Sequence, residues 1–119
     1  MKKFLTVTIA VVAALSVASS AQASTAGQRN ALDSAQSYLR SSAFSKSGLV
    51  EQLEYEHFSS SDARWAVAHL RVSWNAQAVK KAKSYLRISS FSRQGLIEQL
   101  EYDGFTHSQA AYGFSKAYR

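Results

Sequence analysis

Apolar residues recur at steps of three and four along most of the chain, which is the period of an amphipathic helix. The first such stretch contains Ala31, Leu32, Ala35, Tyr38 and Leu39. Adjacent apolar residues at Leu49–Val50 and Leu96–Ile97 are the only segments that resemble a strand even briefly. The pattern therefore predicts an all-α protein.

A shift of 47 residues superposes the sequence on itself without a gap. Residues 31–72 align with residues 78–119, and 19 of these 42 positions are identical. The longest match pairs Ser45–Tyr55 with Ser92–Tyr102. Identity at this level indicates an internal duplication. The predicted organisation is a polar lead-in at 24–30, repeat 1 at 31–72, a connector at 73–77 and repeat 2 at 78–119.

Each repeat is predicted to contain three short helices joined by tight turns. Ser45 and Ser92 precede the second helix, where a side-chain oxygen can accept from unpaired backbone N–H groups. Thr106, followed three residues later by Gln109, is a capping signature for the third helix. Gly104 can end the second helix in a left-handed conformation at little cost, which His57 does less readily. The sequence thus predicts two tandem, helix–turn–helix-like repeats.

A repeat of 42 residues buries little apolar surface by itself. We therefore expect the two repeats to pack on each other. Trp65, Trp74 and Tyr112 are large enough to fill such an interface. The alternative is that each of these rings packs within its own repeat.

The first 23 residues have the organisation of an export signal. Lys2 and Lys3 precede an apolar run over residues 4–18, and Ala23 completes an A-x-A cleavage motif. The run is shorter than the roughly 20 residues that span a bilayer. We expect cleavage after Ala23 and export to the cell envelope, in a periplasmic or extracellular position. An uncleaved membrane anchor is the alternative.

Composition narrows the classes of function. The chain has no Cys, which excludes disulfides, thiolate metal sites and a cysteine nucleophile. Its formal charge is +6, and it falls to +4 once the signal is removed. That charge is uneven, since repeat 1 carries −1 and repeat 2 carries +4. The predicted basic face of repeat 2 consists of Lys80, Lys81, Lys83 and Arg87. It is either a solvated surface or a site for phosphates, anionic lipid or an acidic protein.

Catalytic and metal chemistry find little support. Glu51 and Glu54 form a carboxylate pair that is repeated at Glu98 and Glu101, but helical geometry turns Glu51 away from the apolar face. A general acid needs burial to raise its pKa, so a solvated face or a partner surface fits better than catalysis. The three histidines lack metal-ligand spacing. We therefore expect no enzyme activity, no metal and no cofactor.

DNA reading is also unsupported, although the units are helix–turn–helix-like and the chain is basic. The predicted third helices carry few side chains suited to base edges. Arg64 and His69 occupy the first, and Gln109 and Lys116 the second. Export argues further against a cytoplasmic regulator, so a nucleic-acid partner is not expected.

The repeated segments resemble the host cell surface-exposed lipoprotein (Ltp) family. The segments that carry this resemblance are Tyr38-Leu39, Phe44-Ser45, Gly48–Leu53 and Tyr55–Ser59, their second copies, and the connector Trp74–Ala78. The resemblance implies a tandem of small helical units at the cell envelope that is linked to phage superinfection exclusion. It implies a block of DNA injection by contact with a tail component of the tape measure type, with no catalytic residues and no small-molecule substrate. The chain departs from the family name, because it has no Cys to carry a lipid.

Two hypotheses about function follow. The first is phage exclusion through a partner surface formed by Glu51, Tyr55, Glu98 and Tyr102, in which acids steer a basic partner and exposed Tyr rings bind it. For these Tyr rings the alternative is that they only shield the core of their own repeat. The second hypothesis is an envelope adhesion module that uses the basic face of repeat 2 for anionic lipid or wall polymer.

Overall fold

The computed structural model describes residues 23–118, a range that contains six α-helices and no strand. In repeat 1 these are α1 (Ala26–Ser41), α2 (Lys46–Tyr55) and α3 (Ser60–Ala68), and in repeat 2 they are α4 (Trp74–Ile88), α5 (Arg93–Tyr102) and α6 (His107–Ala117). The prediction of an all-α fold with two tandem three-helix repeats is confirmed. Apart from Ala23, the predicted export signal lies outside the described residues.

Hydroxyl side chains begin the helices as the sequence predicts. Ser45 Oγ accepts from the N–H of Gly48, and Ser92 Oγ accepts from the N–H of Gly95. At α6, Thr106 and Gln109 form a full capping box. Each cap satisfies a backbone donor that has no partner inside its helix.

The first helix of each repeat starts earlier than the apolar pattern suggests. Thr25 and Gln28 form a capping box, so α1 begins at Ala26, within the segment predicted as a polar lead-in. Ser73 caps α4, which therefore begins at Trp74, within the predicted connector. Capping depends on polar side chains, and apolar periodicity does not detect it.

The turn after the second helix has the same form in both repeats. The N–H of Phe58 donates to the carbonyl of Leu53, and that of Phe105 donates to the carbonyl of Leu100, each at 3.1 Å. Such a helix end places one residue in the left-handed region. That residue is Gly104, with φ of 106°, in repeat 2 and His57, with φ of 73°, in repeat 1. The two turns return Phe58 and Phe105 to their cores.

Each repeat has its own hydrophobic core. Buried residues of the first core are Ala31, Ala35, Leu49, Leu53, Ala63, Ala66 and Val67. Those of the second are Ala78, Ala82, Leu96, Ile97, Leu100, Phe105, Ala110, Phe114 and Ala117. Complete burial of a leucine side chain stabilises a fold by about 1.5–3 kcal/mol. The two cores do not merge, so each repeat is held together mainly by its own side chains.

Hydrogen bonds connect the repeats. Gln77 is buried, and its Oε1 accepts from the N–H of Phe44 at 3.1 Å. Ser45 Oγ, already the cap of α2, donates to the carbonyl of Asp103 at 2.6 Å. Ser47 Oγ donates to the carbonyl of Gly104 at 3.2 Å. The two serine contacts place the end of α5 against the start of α2.

The large aromatic residues do not form the predicted interface as a group. Trp74 opens α4 but packs on the core of repeat 1, so it does join the repeats. Trp65 packs within repeat 1 and stacks on the His69 ring at 3.9 Å between centroids. Tyr112 is 41% exposed. Trp74 thus contributes to the interface between the repeats, whereas Trp65 follows the alternative of packing within its own repeat.

Candidate partner-binding surface

A groove separates the second and third helices in each repeat. In repeat 1 it has a volume of about 700 Å³. Its wall consists of Lys46, Ser47, Val50, Glu51, Glu54, Arg64, Val67 and Ala68, together with Gly104, Thr106 and Gln109 from repeat 2. In repeat 2 the groove has a volume of about 360 Å³ and is lined by Arg93, Gln94, Ile97, Glu98, Glu101, His107 and Ala111. Most of the second set stands 47 residues after a member of the first, so the duplication has produced two related sites.

The floor of each groove is apolar and its rim is charged. Val50 and Ile97 occupy equivalent positions, and they are less exposed than the adjacent Glu51 and Glu98. An apolar floor with charged edges suits a protein segment that has one apolar face. The groove of repeat 1 is the larger one, because the turn between α5 and α6 adds a third wall.

The two carboxylates of each groove differ in their local partners. Glu54 accepts a hydrogen bond from the Ser60 hydroxyl, and the equivalent Glu101 meets His107 Nδ1 at 2.5 Å. Both contacts hold the acid to the start of the third helix. Within residues 23–118, Glu101–His107 is the one contact between an acid and a basic side chain that is close enough for an ion pair. Glu51 and Glu98 are exposed, and they are the acids best placed to meet an approaching partner.

Tyr55 and Tyr102 lie beside the grooves and not in them. Each is the last residue of its helix, and they are 78% and 87% exposed, respectively. Tyr55 lines a shallow surface with Glu54, Glu56 and His57. The structure thus joins Glu51 to Glu54 in the groove, and it leaves Tyr55, one turn along α2, near the groove's end.

The predicted basic face is divided by the fold. Lys80, Lys83 and Arg87 line a second type of groove, of about 280 Å³, that lies between α4 and the end of α1. Lys81 is on another side of the helix, with Nζ 5.8 Å from the centroid of the Tyr85 ring. Arg40 of repeat 1 takes part in this groove, although the sequence did not point to it. The sequence shows that Arg40 and Arg87 occupy equivalent positions of the two repeats, but it does not show that the end of α1 lies close to α4.

A half-buried tyrosine supports the turn next to the groove of repeat 1. Tyr85 donates to Asp103 Oδ2 at 2.5 Å, and Gln99 donates to the Tyr85 hydroxyl at 3.1 Å. Burial, together with the Asp103 carboxylate, raises the pKa of Tyr85 to about 12. In repeat 1 the neighbouring Glu56 carboxylate is the main cause that raises the pKa of Tyr38. The Tyr85 hydroxyl acts as the donor to Asp103, whereas the Tyr38 hydroxyl accepts from Gln52 Nε2 at 3.2 Å.

Residues 23–118 contain no cluster of three or more His, Asp or Glu side chains that could hold a metal ion. In the same range, no helix combines the length and hydropathy needed to cross a membrane. Charged, hydrogen-bonding and apolar side chains line both grooves.

Comparison with known protein families identifies the family of these repeats. The family model described as host cell surface-exposed lipoprotein matches residues 27–70 and again residues 73–116. The two matches together cover well over half of the chain. The chain belongs to the host cell surface-exposed lipoprotein family. The resemblance inferred from the repeated segments is thereby confirmed. The first match begins in the first turn of α1, and the second begins at Ser73, the cap of α4. The family repeats therefore begin where the first helix of each repeat begins.

A solved structure of the same family is similar over almost its whole length. It is the structure of Ltp, a superinfection exclusion protein from the Streptococcus thermophilus temperate phage TP-J34. The TM-score is 0.73 at 29% sequence identity, and the match covers 78% of this chain and 97% of that one. A comparison with curated protein sequences gives no match.

Proposed function

We propose that this protein is an exported superinfection exclusion protein of the cell envelope, which lets a phage adsorb but stops injection of its DNA. The likeness to the TP-J34 exclusion protein carries the proposal, because it extends through both repeats. The family description adds an exposed position at the cell surface. The export signal predicted at residues 1–23 would take the chain there.

The proposed mechanism is binding of a phage tail component, such as a protein of the tape measure type, in the two grooves. Glu51 and Glu98 would meet basic side chains of that component, and Val50 and Ile97 would contact its apolar face. Tyr55 would add contact area at the groove's end. Because the two sites lie on one chain, a partner held by both repeats gains affinity beyond either contact alone. A long tail component that exposes similar segments more than once suits such a receptor.

The first experiment tests the place of action. Cells that produce the full chain and cells that produce residues 24–119 are challenged with phage, and adsorption, entry of labelled DNA and plaque formation are measured. The proposal predicts normal adsorption in both strains and loss of DNA entry only with the full chain. Equal protection by the form without the signal would refute action at the envelope.

The second experiment tests the grooves. Glu51→Gln with Glu98→Gln removes one exposed carboxylate from each groove and keeps the shape of the side chain. Asp33→Asn is the control, since Asp33 is an exposed acid on α1 outside both grooves. We expect the double variant to lose protection at an unchanged melting temperature, and the control to keep it. Full protection by the double variant would exclude these carboxylates as the contact.

A further inference from the structure

Four cations from both repeats meet in the groove between α1 and α4. They are Arg40, Lys80, Lys83 and Arg87, and the remaining lining residues are Leu39, Ser41, Ser42, Ala43 and Ser84. No acidic residue lines this groove, and α4 contains none over its 15 residues. Among the described residues, none of the four cations forms an ion pair. The groove therefore holds a concentrated positive charge that the protein itself does not neutralise.

The arrangement of the two arginines favours a phosphate. Arg40 Nη2 donates to Ser37 Oγ at 2.9 Å, and Arg87 Nη2 donates to Ser84 Oγ at 3.3 Å. Each guanidinium is thus held by a serine one turn earlier on its own helix. A guanidinium has five N–H donors, so most remain available in a geometry that matches phosphate oxygens.

The fold does not need these charges. In repeat 1 the positions equivalent to Lys80, Lys81 and Lys83 are Asp33, Ser34 and Gln36, on a helix with the same partners. The equivalent of Ile88 is Ser41. Repeat 2 therefore acquired cations and one apolar residue on a surface that is polar and weakly acidic in its sister.

Ile88 indicates which phosphate-bearing partner fits. It is 82% exposed, and it follows Arg87, which lines both the cationic groove and the hollow around Ile88. An exposed apolar side chain beside a cluster of cations is the pattern of a surface that rests on an anionic bilayer. A soluble polyanion would use the cations and have no use for the isoleucine.

The geometry points to a lipid-headgroup site: the groove of Arg40, Lys80, Lys83 and Arg87 binds phosphates of an anionic bilayer surface while Ile88 enters the boundary of the acyl chains. This site is separate from the acidic grooves. It would hold the protein flat on the membrane, whether or not the exclusion function proposed above is correct.

Vesicle sedimentation of residues 24–119 tests the site. The probes are vesicles of phosphatidylcholine alone, the same vesicles with phosphatidylglycerol, and soluble poly(glycerol phosphate) as a competitor. We expect binding to the phosphatidylglycerol vesicles only, weakening as salt increases. Binding to neither vesicle would overturn the proposal. If the protein binds poly(glycerol phosphate) but not the vesicles, its partner is a soluble polyanion and the proposal of a membrane partner is wrong.

Three single substitutions separate a groove from general attraction. Lys83→Gln and Lys81→Ser each install the residue of repeat 1 and remove one charge from the same helix, but only Lys83 lines the groove. Each groove cation should contribute roughly fivefold to partitioning. We therefore expect a roughly fivefold loss for Lys83→Gln and for Arg40→Gln, and at most a twofold loss for Lys81→Ser. Equal losses for Lys81→Ser and Lys83→Gln, or no loss for Arg40→Gln, would refute the groove.

Ile88→Ser tests the apolar contact, again with the residue of repeat 1. Binding to phosphatidylglycerol vesicles should fall several-fold, while competition by poly(glycerol phosphate) should act on this variant as on the parent chain. Unchanged vesicle binding would show that Ile88 does not enter the membrane. Circular dichroism of each variant checks that the six helices are retained.

Discussion

Leu49 and Leu53 are fully buried in repeat 1, and Leu96 and Leu100 are fully buried at the same positions of repeat 2. Around these leucines the two repeats differ in the charge of their first helices. Where α1 carries Asp33, Ser34 and Gln36, α4 carries three lysines. The comparison teaches that a small helical unit tolerates opposite charges on its outer face once its core leucines and caps are kept.

The third helices show a second kind of difference. In α3, Trp65 stacks on His69, while in α6 the equivalent Tyr112 lies with its ring centroid 5.7 Å from Lys116 Nζ. Gly113 replaces Ala66, and a Cβ there would come within 2.8 Å of the carbonyl of Ala78 on α4. Repeat 2 thus lets its third helix approach the first helix where repeat 1 keeps a methyl group.

The largest expected effect comes from the cores. Leu53→Ala and Leu100→Ala should each lower the free energy of unfolding by about 3 kcal/mol, because each leaves a cavity among fully buried neighbours. Since the cores are separate, amide protection should fall mainly in the repeat that carries the substitution. Hydrogen exchange followed by NMR measures this. Equal loss of protection in both repeats would show that they unfold as one unit.

Exchanging Gly104 and His57, the left-handed residues of the two turns, should change the stability of the protein by unequal amounts. Gly104→His places a side chain at φ of 106°, where its Cβ would also collide with the hydroxyls of Ser45 and Ser47. We expect a loss of about 2 kcal/mol, from backbone strain and from damage to the junction. His57→Gly relieves a left-handed backbone and should raise stability by up to about 1 kcal/mol. Urea unfolding of both variants measures these changes, and losses of similar size would contradict the geometry.

The buried amide at the junction has an exposed counterpart. Gln77→Ala leaves the N–H of Phe44 without its acceptor and should cost about 1–2 kcal/mol. Asn30→Ala, at the equivalent exposed position of α1, should change stability by less than about 0.5 kcal/mol. Thermal unfolding followed by circular dichroism compares the two. An unchanged melting temperature for Gln77→Ala would mean that this hydrogen bond does not hold the repeats together.

The last expected effect concerns the dependence of stability on alkaline pH. Folding raises the pKa of Tyr85 from its ordinary value of 10.0 to about 12, so the folded state favours the protonated hydroxyl. The resulting stabilisation is complete below pH 10 and is lost as the pH rises toward 12. Tyr85→Phe should remove this part of the pH dependence and the latest step of the tyrosinate absorbance titration. A titration that keeps this step in Tyr85→Phe would assign it to another tyrosine.

Much of the fold was predictable because its determinants are local. The apolar steps and the caps at Ser45, Ser92 and Thr106 depend on residues within one or two turns of each other. The duplication supplies a second copy of each signal, and the two copies together support the prediction of two three-helix repeats. The early start of α1, which Thr25 caps, is local as well, but polar caps outside the apolar pattern are easy to overlook.

The candidate sites were only partly predictable. The exposure of Glu51 and Glu98 follows from helical periodicity. The third wall of the larger groove, contributed by Gly104, does not, because it comes from the other repeat. Arg40 was missed for the same reason. Lys81 was predicted as part of the basic face but does not line the groove, because it lies about 100° around α4 from Lys80.

The sequence by itself determined the helices, their ends, the duplication and the content of each core, because these follow from side-chain periodicity and short-range hydrogen bonding. Only the tertiary structure decided how the repeats meet. The bond from Ser45 to Asp103 joins residues 58 positions apart, and the one from Phe44 to Gln77 joins residues 33 apart. Contacts over such separations depend on the placement of whole helices, and the two unequal acidic grooves and the shared cationic groove exist because of that placement.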